Sequence, residues 1–287
     1  MLKDDFEGFS TLVRGDFSEY GPHSGTGFFY CESPDQCIDN TKINIHTDFV
    51  KNKIWLITVR HNLYPVPPQV QQIFPPSEGY EERLPFEFGI HLKSNNSPKW
   101  DQVILSEEDL LKNGRIHSND DVDIAAIEIS DILKDKFKGQ NNHYIDYYAF
   151  NKCQFPTAIK CENSEIVIVG FAVSNNGTFN LLVTKPEVRS GAINSTWGSS
   201  LGDLPAFEVN TIAGMGFSGS PAMSILKDSK LNHKTTLNDK HISFLGVSAG
   251  ISRENSTTII YYGNLVEDII KDGLPLFSAR YRHIDRY

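Results

Sequence analysis

The sequence predicts an all-β fold, a sandwich or a barrel with few helices. Three observations support this prediction: short segments rich in β-branched and aromatic residues, turn-forming residues at their ends, and very few helix signals. The segments predicted as strands are residues 28–30, 54–59, 124–129, 166–173, 244–251 and 257–262. They do not alternate with helical segments, which argues against a parallel sheet built from βαβ units.

Two helices are expected beside these strands. Ser106 and Asp109 resemble a capping box, and Gly114 can end the helix that they begin. Asn264 is expected to cap a C-terminal helix that ends at Gly273. Proline-rich sequence predicts a surface loop at residues 64–85. Polar sequence predicts a crossover between two halves at residues 130–143 and an exposed hairpin tip or insertion at residues 227–240.

Length and charge exclude several classes of protein. The chain has 287 residues, and 27 Lys and Arg against 36 Asp and Glu give it a formal net charge of −9. A chain of this length can bury a large core without disulfides or metals, as one large domain or two small ones. We expect no nucleic-acid partner, because phosphate binding needs clustered Lys and Arg. We expect no membrane partner, because the longest apolar runs fall far short of the ~20 residues that span a bilayer.

The N-terminus and the cysteines bear on where the protein works. Acidic residues 4, 5 and 7 lie where a signal peptide would need an apolar stretch, so a cytoplasmic location is expected, although a secreted chain with a trimmed N-terminus would look the same. The four cysteines are Cys31, Cys37, Cys153 and Cys161. They allow two local disulfides or a four-thiolate zinc site, but free thiols fit a reducing cytosol better.

Residues 214–221 read Gly-Met-Gly-Phe-Ser-Gly-Ser-Pro and hold a candidate nucleophile, Ser218. The dinucleotide-binding pattern G-x-G-x-x-G also matches, but Pro221 and strand-like residues follow where a helix should open. The esterase pattern G-x-S-x-G fails, because Ser220 replaces its last glycine. A tight turn could expose the Ser218 hydroxyl and aim the N–H groups of Gly216 and Ser218 at an oxyanion. Taken alone, a glycine-rich connection between strands explains the segment better.

Two further residues favour a catalytic interpretation. His61 directly follows a predicted buried strand, and its unperturbed pKa of ~6.5 suits a general base. Asp123 directly precedes another strand, where a carboxylate could fix the tautomer of His61. Either residue could instead be an ordinary residue at a strand end. The other eight histidines, His23 among them, are interpreted as surface or core residues without a function.

Taken in order along the chain, these three features resemble the chymotrypsin-like (trypsin-like) serine proteases, and most of all their bacterial Htr, glutamyl-endopeptidase-type and viral branch. Residues 24–29, Ser-Gly-Thr-Gly-Phe-Phe, also resemble the strand that opens many such domains. The resemblance covers residues 12–264. It implies two packed antiparallel six-stranded β-barrels with a C-terminal helix. Residues 1–138 would form the half that carries His61 and Asp123, and residues 139–287 the half that carries Ser218.

The resemblance also implies roles for individual residues in a serine endopeptidase. Ser218 would be the nucleophile, His61 the general base and acid, and Asp123 the orienting acid, with the N–H groups of Gly216 and Ser218 as the oxyanion hole. The residues that would line the primary pocket are Ile212, Ala213, Ser248, Ala249 and Gly250. None of them is charged, so cleavage after small or apolar residues is expected. The reaction needs no metal or organic cofactor.

The sequence departs from the digestive members of this family in two places. Phe217 takes the position of the aspartate that receives a newly cut N-terminus, so activation by N-terminal insertion is not expected. The connection at residues 64–85 lies next to His61 and could cover the cleft, receive a regulatory protein or be a tolerated insertion. The basic tail at residues 278–287 could dock on a partner or back onto the acidic body of the protein, but it is predicted to be frayed. The alternatives to an endopeptidase are a pseudoprotease or gated protease that binds a partner, and a serine esterase on the same site.

Overall fold

The structure is a computed structural model. It describes residues 6, 8–17, 21–32, 53–65, 80–93, 100–138, 147–152, 155, 165–172, 186–194, 201, 204–226, 236–237, 240–252 and 255–282. Most of these residues lie in strands of two large curved sheets, and a helix follows the last long strand. The predicted all-β fold with a C-terminal helix is therefore confirmed.

The strands and helices follow one another closely in the described chain. The strands are β1 (Thr11–Phe17), β2 (Gly21–Glu32), β3 (Lys53–Thr58), β4 (Tyr80–Arg83), β5 (Glu87–Lys93), β6 (Trp100–Ser106), β7 (Gly114–Ile116), β8 (Ala125–Glu128), β9 (Ala149–Phe150), β10 (Glu165–Gly170), β11 (Glu187–Gly191), β12 (Ala206–Val209), β13 (Pro221–Leu226), β14 (Thr236–Leu237), β15 (Lys240–Ser252), β16 (Thr257–Tyr262), β17 (Leu274–Pro275) and β18 (Ala279–Arg282). The helices are α1 (Glu107–Asn113), α2 (Ser130–Lys136) and α3 (Asn264–Asp272).

Two sheets organise the two halves of the molecule. The first runs β17-β7-β8-β3-β2-β1-β5-β6, with β9 added in parallel beside β2. The second runs β11-β10-β13-β15-β16-β12, with β14 beside β15. The sheets thus contain nine and seven described strands, and every pairing except that of β9 is antiparallel.

Strand β3 is buried on both faces, which explains its unbroken apolar sequence. Ile54 and Leu56 face a core inside the first sheet. Trp55 and Ile57 face a second core, which lies between the two sheets and includes Phe244 of β15. A third core lies within the second sheet. The two sheets are therefore held together by apolar packing through the strand that leads to His61.

The helices confirm one predicted cap and correct another. Ser106 caps α1 in a capping box with Asp109, as the sequence predicted. At α3 the N-cap is Gly263, and Asn264 is the first helical residue, so the prediction that Asn264 caps this helix was wrong. Gly273 ends α3 as predicted. Helix α2 lies in the stretch that was predicted as a polar connection.

The C-terminal tail corrects a further prediction. Instead of fraying after α3, the chain returns to the first half of the molecule. There β17 pairs with β7 and β18 pairs with β4. The tail is thus ordered by strand pairing as far as the end of β18.

Several expectations stay untested. A division at residue 138 stays a prediction, although β9 and β17 lie beyond it in sequence and join the first sheet. Much of the predicted connections falls outside the described residues, namely 66–79, 139–146 and 227–235. No helix in the described part of the chain is long and apolar enough to cross a membrane.

Candidate active site

Strand pairing brings His61 and Asp123 together. His61 lies in a short 3₁₀ turn, Arg60–Asn62, just after β3, and Asp123 lies just before β8. These strands pair antiparallel with Thr58 opposite Ala125, so the end of one lies beside the start of the other. The Nδ1 atom of His61 is 2.5 Å from Oδ2 of Asp123. The backbone N–H of His61 donates to Oδ1 at 2.9 Å. One carboxylate thus fixes both the ring and the backbone of His61.

The electrostatics of this pair favour one tautomer. A carboxylate only accepts hydrogen bonds, so the proton on His61 lies on Nδ1 and the other ring nitrogen can accept one. Burial of the ring lowers the pKa of His61, but the charge of Asp123 and its hydrogen bond raise it, and the net effect is a raised pKa. This arrangement can take up a proton from a neighbouring hydroxyl and stabilise the imidazolium that forms.

Ser218 lies in a turn that is hydrogen-bonded to both large sheets. Its carbonyl oxygen accepts a hydrogen bond from the N–H of Thr26 in β2 at 2.9 Å and one from Nδ2 of Asn62 at 3.1 Å. The N–H of the next residue, Gly219, donates to the carbonyl of Ser248 in β15 at 2.7 Å. Asn62 directly follows His61, so the backbone of Ser218 is tied to the turn that carries the histidine.

Two glycines permit this close approach. Gly219 has φ +88°, and a Cβ there would lie 2.0 Å from the carbonyl oxygen of Thr26. A Cβ on Gly25 would lie 2.3 Å from Nδ2 of Asn62. A side chain at Gly219 would force β2 and the Ser218 turn apart, and one at Gly25 would displace the side chain of Asn62. Gly219 therefore permits the close contact of β2 with the Ser218 turn, and Gly25 permits the close contact of β2 with Asn62 in the histidine turn.

The N–H groups of Gly216 and Ser218 are available to an external acceptor. Gly216 has φ 89°, a left-handed conformation that suits glycine, and its carbonyl accepts a hydrogen bond from Oγ1 of Thr26 at 2.7 Å. Within the described residues, the N–H groups of Gly216 and Ser218 donate to no protein acceptor. They can therefore serve an external oxygen, as an oxyanion hole requires.

The five predicted pocket residues lie in different environments. Ser248 and Ala213 are buried, whereas Ala249 and Gly250 are half-buried and Ile212 is 54% exposed. A Cβ on Gly250 would meet nothing within 4 Å, so there is open space beside this residue. The role of the five residues as a pocket stays a prediction.

Phe217 occupies the position that would need a carboxylate for N-terminal insertion. Its side chain is buried in the third core, and the guanidinium of Arg189 lies 5.8 Å from its ring centre. A buried aromatic ring cannot form the salt bridge that a new ammonium group would need. Independence from N-terminal insertion stays a prediction on this basis.

The sequence interpretation missed His23, which it set aside as a residue without function. Its ring centre lies 6.2 Å from that of His61, edge-on at 75°. Burial, followed by the charge of His61, lowers the pKa of His23 to about 4. His23 is therefore neutral near pH 7 and adds no positive charge beside His61. Its position in β2, just before the Gly-Thr-Gly segment, was the one available signal.

Three polar residues were also missed. The side chain of Asn62 donates to Oγ1 of Thr58 at 2.8 Å, and that hydroxyl donates to the carbonyl of Thr26 at 2.8 Å. All three side chains are buried. Together they join the end of β3, the middle of β2 and the Ser218 turn. Their placement next to recognised motifs was a signal, but an amide and two hydroxyls indicate no chemistry by themselves.

The cysteine alternatives lie largely outside the described residues. Cys31 is buried in the first core, and Cys37, Cys153 and Cys161 are not among the residues described. Among the described residues, no group of three His, Cys, Asp or Glu is arranged to hold a metal ion.

Comparison with known proteins gives structural matches only. No family model matches the chain, and no curated protein matches its sequence. The structure is similar to the MamO protease domain from Magnetospirillum magneticum, with TM-score 0.49 and 9% identity over 94% of this chain and 100% of that one. It is similar to the Rv3671c protease from M. tuberculosis in its active form, with TM-score 0.47 and 12% identity over 96% and 86% of the two chains.

A third match is tobacco etch virus protease in complex with product, with TM-score 0.45 and 10% identity over 96% of this chain and 83% of that one. All three matches are proteases by name. At these identities and TM-scores, a function for this chain has to come from its own residues.

Proposed function

We propose that this protein is a serine endopeptidase in which Ser218 is the nucleophile, His61 the general base and acid, and Asp123 the orienting carboxylate. The observation that carries the proposal is that Asp123 accepts hydrogen bonds from both the ring and the backbone of His61. The same turn binds the carbonyl of Ser218 through the side chain of Asn62. A histidine fixed in this way beside a serine turn is the arrangement that acyl transfer needs.

In the proposed reaction, Oγ of Ser218 attacks the carbonyl carbon of the scissile peptide bond and Nε2 of His61 takes up the hydroxyl proton. The carbonyl oxygen becomes an oxyanion, which the N–H groups of Gly216 and Ser218 bind. As the intermediate collapses, the C–N bond breaks and His61 returns the proton to the leaving amine. Water then attacks the acyl-enzyme in the same way, which releases the acid product and restores Ser218.

The proposed substrate is a protein or peptide, and the preferred residue before the cut is small or apolar. All five predicted pocket residues are uncharged, and an unpaired charge in an apolar pocket is costly. Digestion of a mixed peptide library, followed by mass spectrometry, should find cleavage mainly after residues such as Ala, Val or Leu. Cleavage confined to sites after Lys or Arg would contradict this prediction. A regulatory protein partner and a cytoplasmic location stay predictions from the sequence.

Labelling with a fluorophosphonate probe tests the function directly, because the probe reacts with an activated serine. We expect labelling of the protein that the Ser218→Ala variant loses, together with Ser218-dependent cleavage of casein. Labelling without proteolysis would favour an esterase or a gated protease. If the intact protein never labels, it acts through binding and the proposal is wrong.

A further inference from the structure

The last described residues of the chain pack against the segment that carries His61. Residues 276–282, here called the C-terminal clasp, include Phe277, whose ring stacks on Tyr64 with centres 4.5 Å apart and planes at 17°. The hydroxyl of Tyr64 donates to the carbonyl of Phe277 at 2.7 Å and accepts from its N–H at 3.0 Å. Tyr64 lies three residues after His61, so the clasp fixes this segment by stacking and by two hydrogen bonds.

The residue before His61 is held by the same clasp. Arg60 is 4% exposed, and its guanidinium lies 5.8 Å from the ring centre of Phe277. It donates to Glu82 at 3.2 Å and to Asp120 at 2.8 Å. A guanidinium with these partners has little freedom, because moving it would leave a buried charge unpaired.

The segment that carries Asp123 is tied to the clasp through Asp120. Both terminal nitrogens of Arg280 donate to this carboxylate, at 2.7 and 3.3 Å. The guanidinium of Arg280 also lies 5.7 Å from the ring centre of Phe277. Asp120 therefore accepts hydrogen bonds from Arg60, in the histidine segment, and from Arg280, in the clasp. Hydrogen bonds from Arg280 and then Arg60 hold the pKa of Asp120 well below its usual range.

We propose that Phe277 and Arg280 are positioning residues, which keep His61 and Asp123 in register by clamping Arg60 and Asp120 together. This inference rests on the proposed function. Neither residue touches the candidate nucleophile, so neither is a catalytic residue. Each acts through the residue before His61 or through Asp120, three residues before Asp123.

The positioning role proposed for Arg280 is distinct from a contribution to stability. Asp120 is half exposed in its ion pair with Arg280, and ion pairs at the surface contribute little to the free energy of unfolding. The geometry of a reacting pair is far more sensitive, because a displacement of about 1 Å can cost 10²-fold in rate. Loss of Arg280 should therefore reduce turnover much more than stability.

The test compares Arg280→Ala and Arg280→Lys with the unmodified full-length protein. In Arg280→Ala we expect kcat to fall about 10- to 100-fold while KM stays within about twofold. Arg280→Lys should recover part of the loss, because lysine keeps the charge but not the bidentate contact. Phe277→Leu, which keeps apolar bulk but removes the ring stack, should also lower kcat. The control is Lys134→Ala, which removes a surface cation that pairs with Asp131 at 3.1 Å and should change nothing.

A second measurement does not depend on activity. The proton on Nδ1 of His61, held by Asp123, should give a far-downfield signal in the ¹H NMR spectrum that is absent in His61→Ala. Arg280→Ala should broaden or shift this signal, and Lys134→Ala should not. If Arg280→Ala left both the signal and kcat unchanged, or lowered the melting temperature without changing kcat, the proposed positioning role of the clasp would be wrong. A protein that never labels at Ser218 would instead contradict the proposed function, and the NMR signal would still test the clasp.

Discussion

Replacing Asp123 with asparagine should lower kcat by about 10⁴-fold, equivalent to about 5.5 kcal/mol of transition-state stabilisation. Asparagine has nearly the same shape, so the fold should remain. Its amide can donate to Nδ1 of His61, and the ring proton would then move to Nε2. A ring protonated on Nε2 cannot accept the proton of Ser218. Steady-state kinetics on a peptide substrate, with circular dichroism to confirm folding, would measure the effect.

The same variant should shift the pH profile in a defined direction. The charge and hydrogen bond of Asp123 raise the pKa of His61 against the opposing effect of burial. The general base must be neutral, so activity is lost as the pH falls through this raised pKa. Without the carboxylate the pKa falls, and the acidic limb of kcat/KM should move to lower pH.

Asp121→Asn is a matched control for both effects. Asp121 is an exposed neighbour two residues away, and the variant makes the same chemical change. It should leave kcat and the acidic limb in place. If Asp123→Asn kept wild-type turnover, or if its acidic limb moved to higher pH, the assigned role of Asp123 would be wrong.

Replacing Gly219 with alanine should disrupt the Ser218 turn. The backbone at Gly219 has φ +88°, and the new Cβ would lie 2.0 Å from the carbonyl oxygen of Thr26. That atom belongs to a strand, so it cannot move aside as a flexible side chain could. We expect a loss of about 2–4 kcal/mol in the free energy of unfolding. We also expect kcat to fall by at least about 100-fold, because the Ser218 turn must shift relative to His61.

Urea unfolding and steady-state kinetics would measure both losses, with Gly214→Ala as the control for stability. A Cβ on Gly214 would meet nothing within 4 Å, so this variant should unfold at the same urea concentration as the wild type. A Gly219→Ala protein as stable and as active as the wild type would show that the turn does not contact β2 as described.

The sequence predicted the strands that are buried on both faces. Alternate residues of β3 face different cores, so its sequence, Lys-Ile-Trp-Leu-Ile-Thr, contains an unbroken apolar run. Such a run is a strong local signal for a buried strand. The ends of β3 and β8 could be recognised for the same reason, and with them His61 and Asp123. The Ser218 turn could be recognised from its glycines, because close backbone contact leaves no room for a side chain at Gly219.

The sequence could not predict features that depend on contacts between distant segments. His23 lies in β2, and only the packing of that strand against the histidine turn places the two rings 6.2 Å apart. Residues 278–287 are predicted to be frayed because terminal residues are commonly poorly ordered. The order of the tail comes from Asp120 and from pairing with β4, both far away in sequence. Asn264 was predicted as the N-cap from its residue type. The helix begins one residue earlier than predicted, at Asn264 itself, with Gly263 as its N-cap.

The last strands of the chain have a consequence for its biosynthesis. Residues 274–275 form the edge strand of the first sheet, next to β7, and residues 279–282 pair with β4 near the histidine turn. Synthesis runs from the N-terminus, so these residues leave the ribosome after His61 and Asp123. The first sheet therefore gains the last of its described strands only after both of these residues have been made. The pairing of β17 with β7 closes a large loop, and contacts between residues so far apart in sequence form slowly.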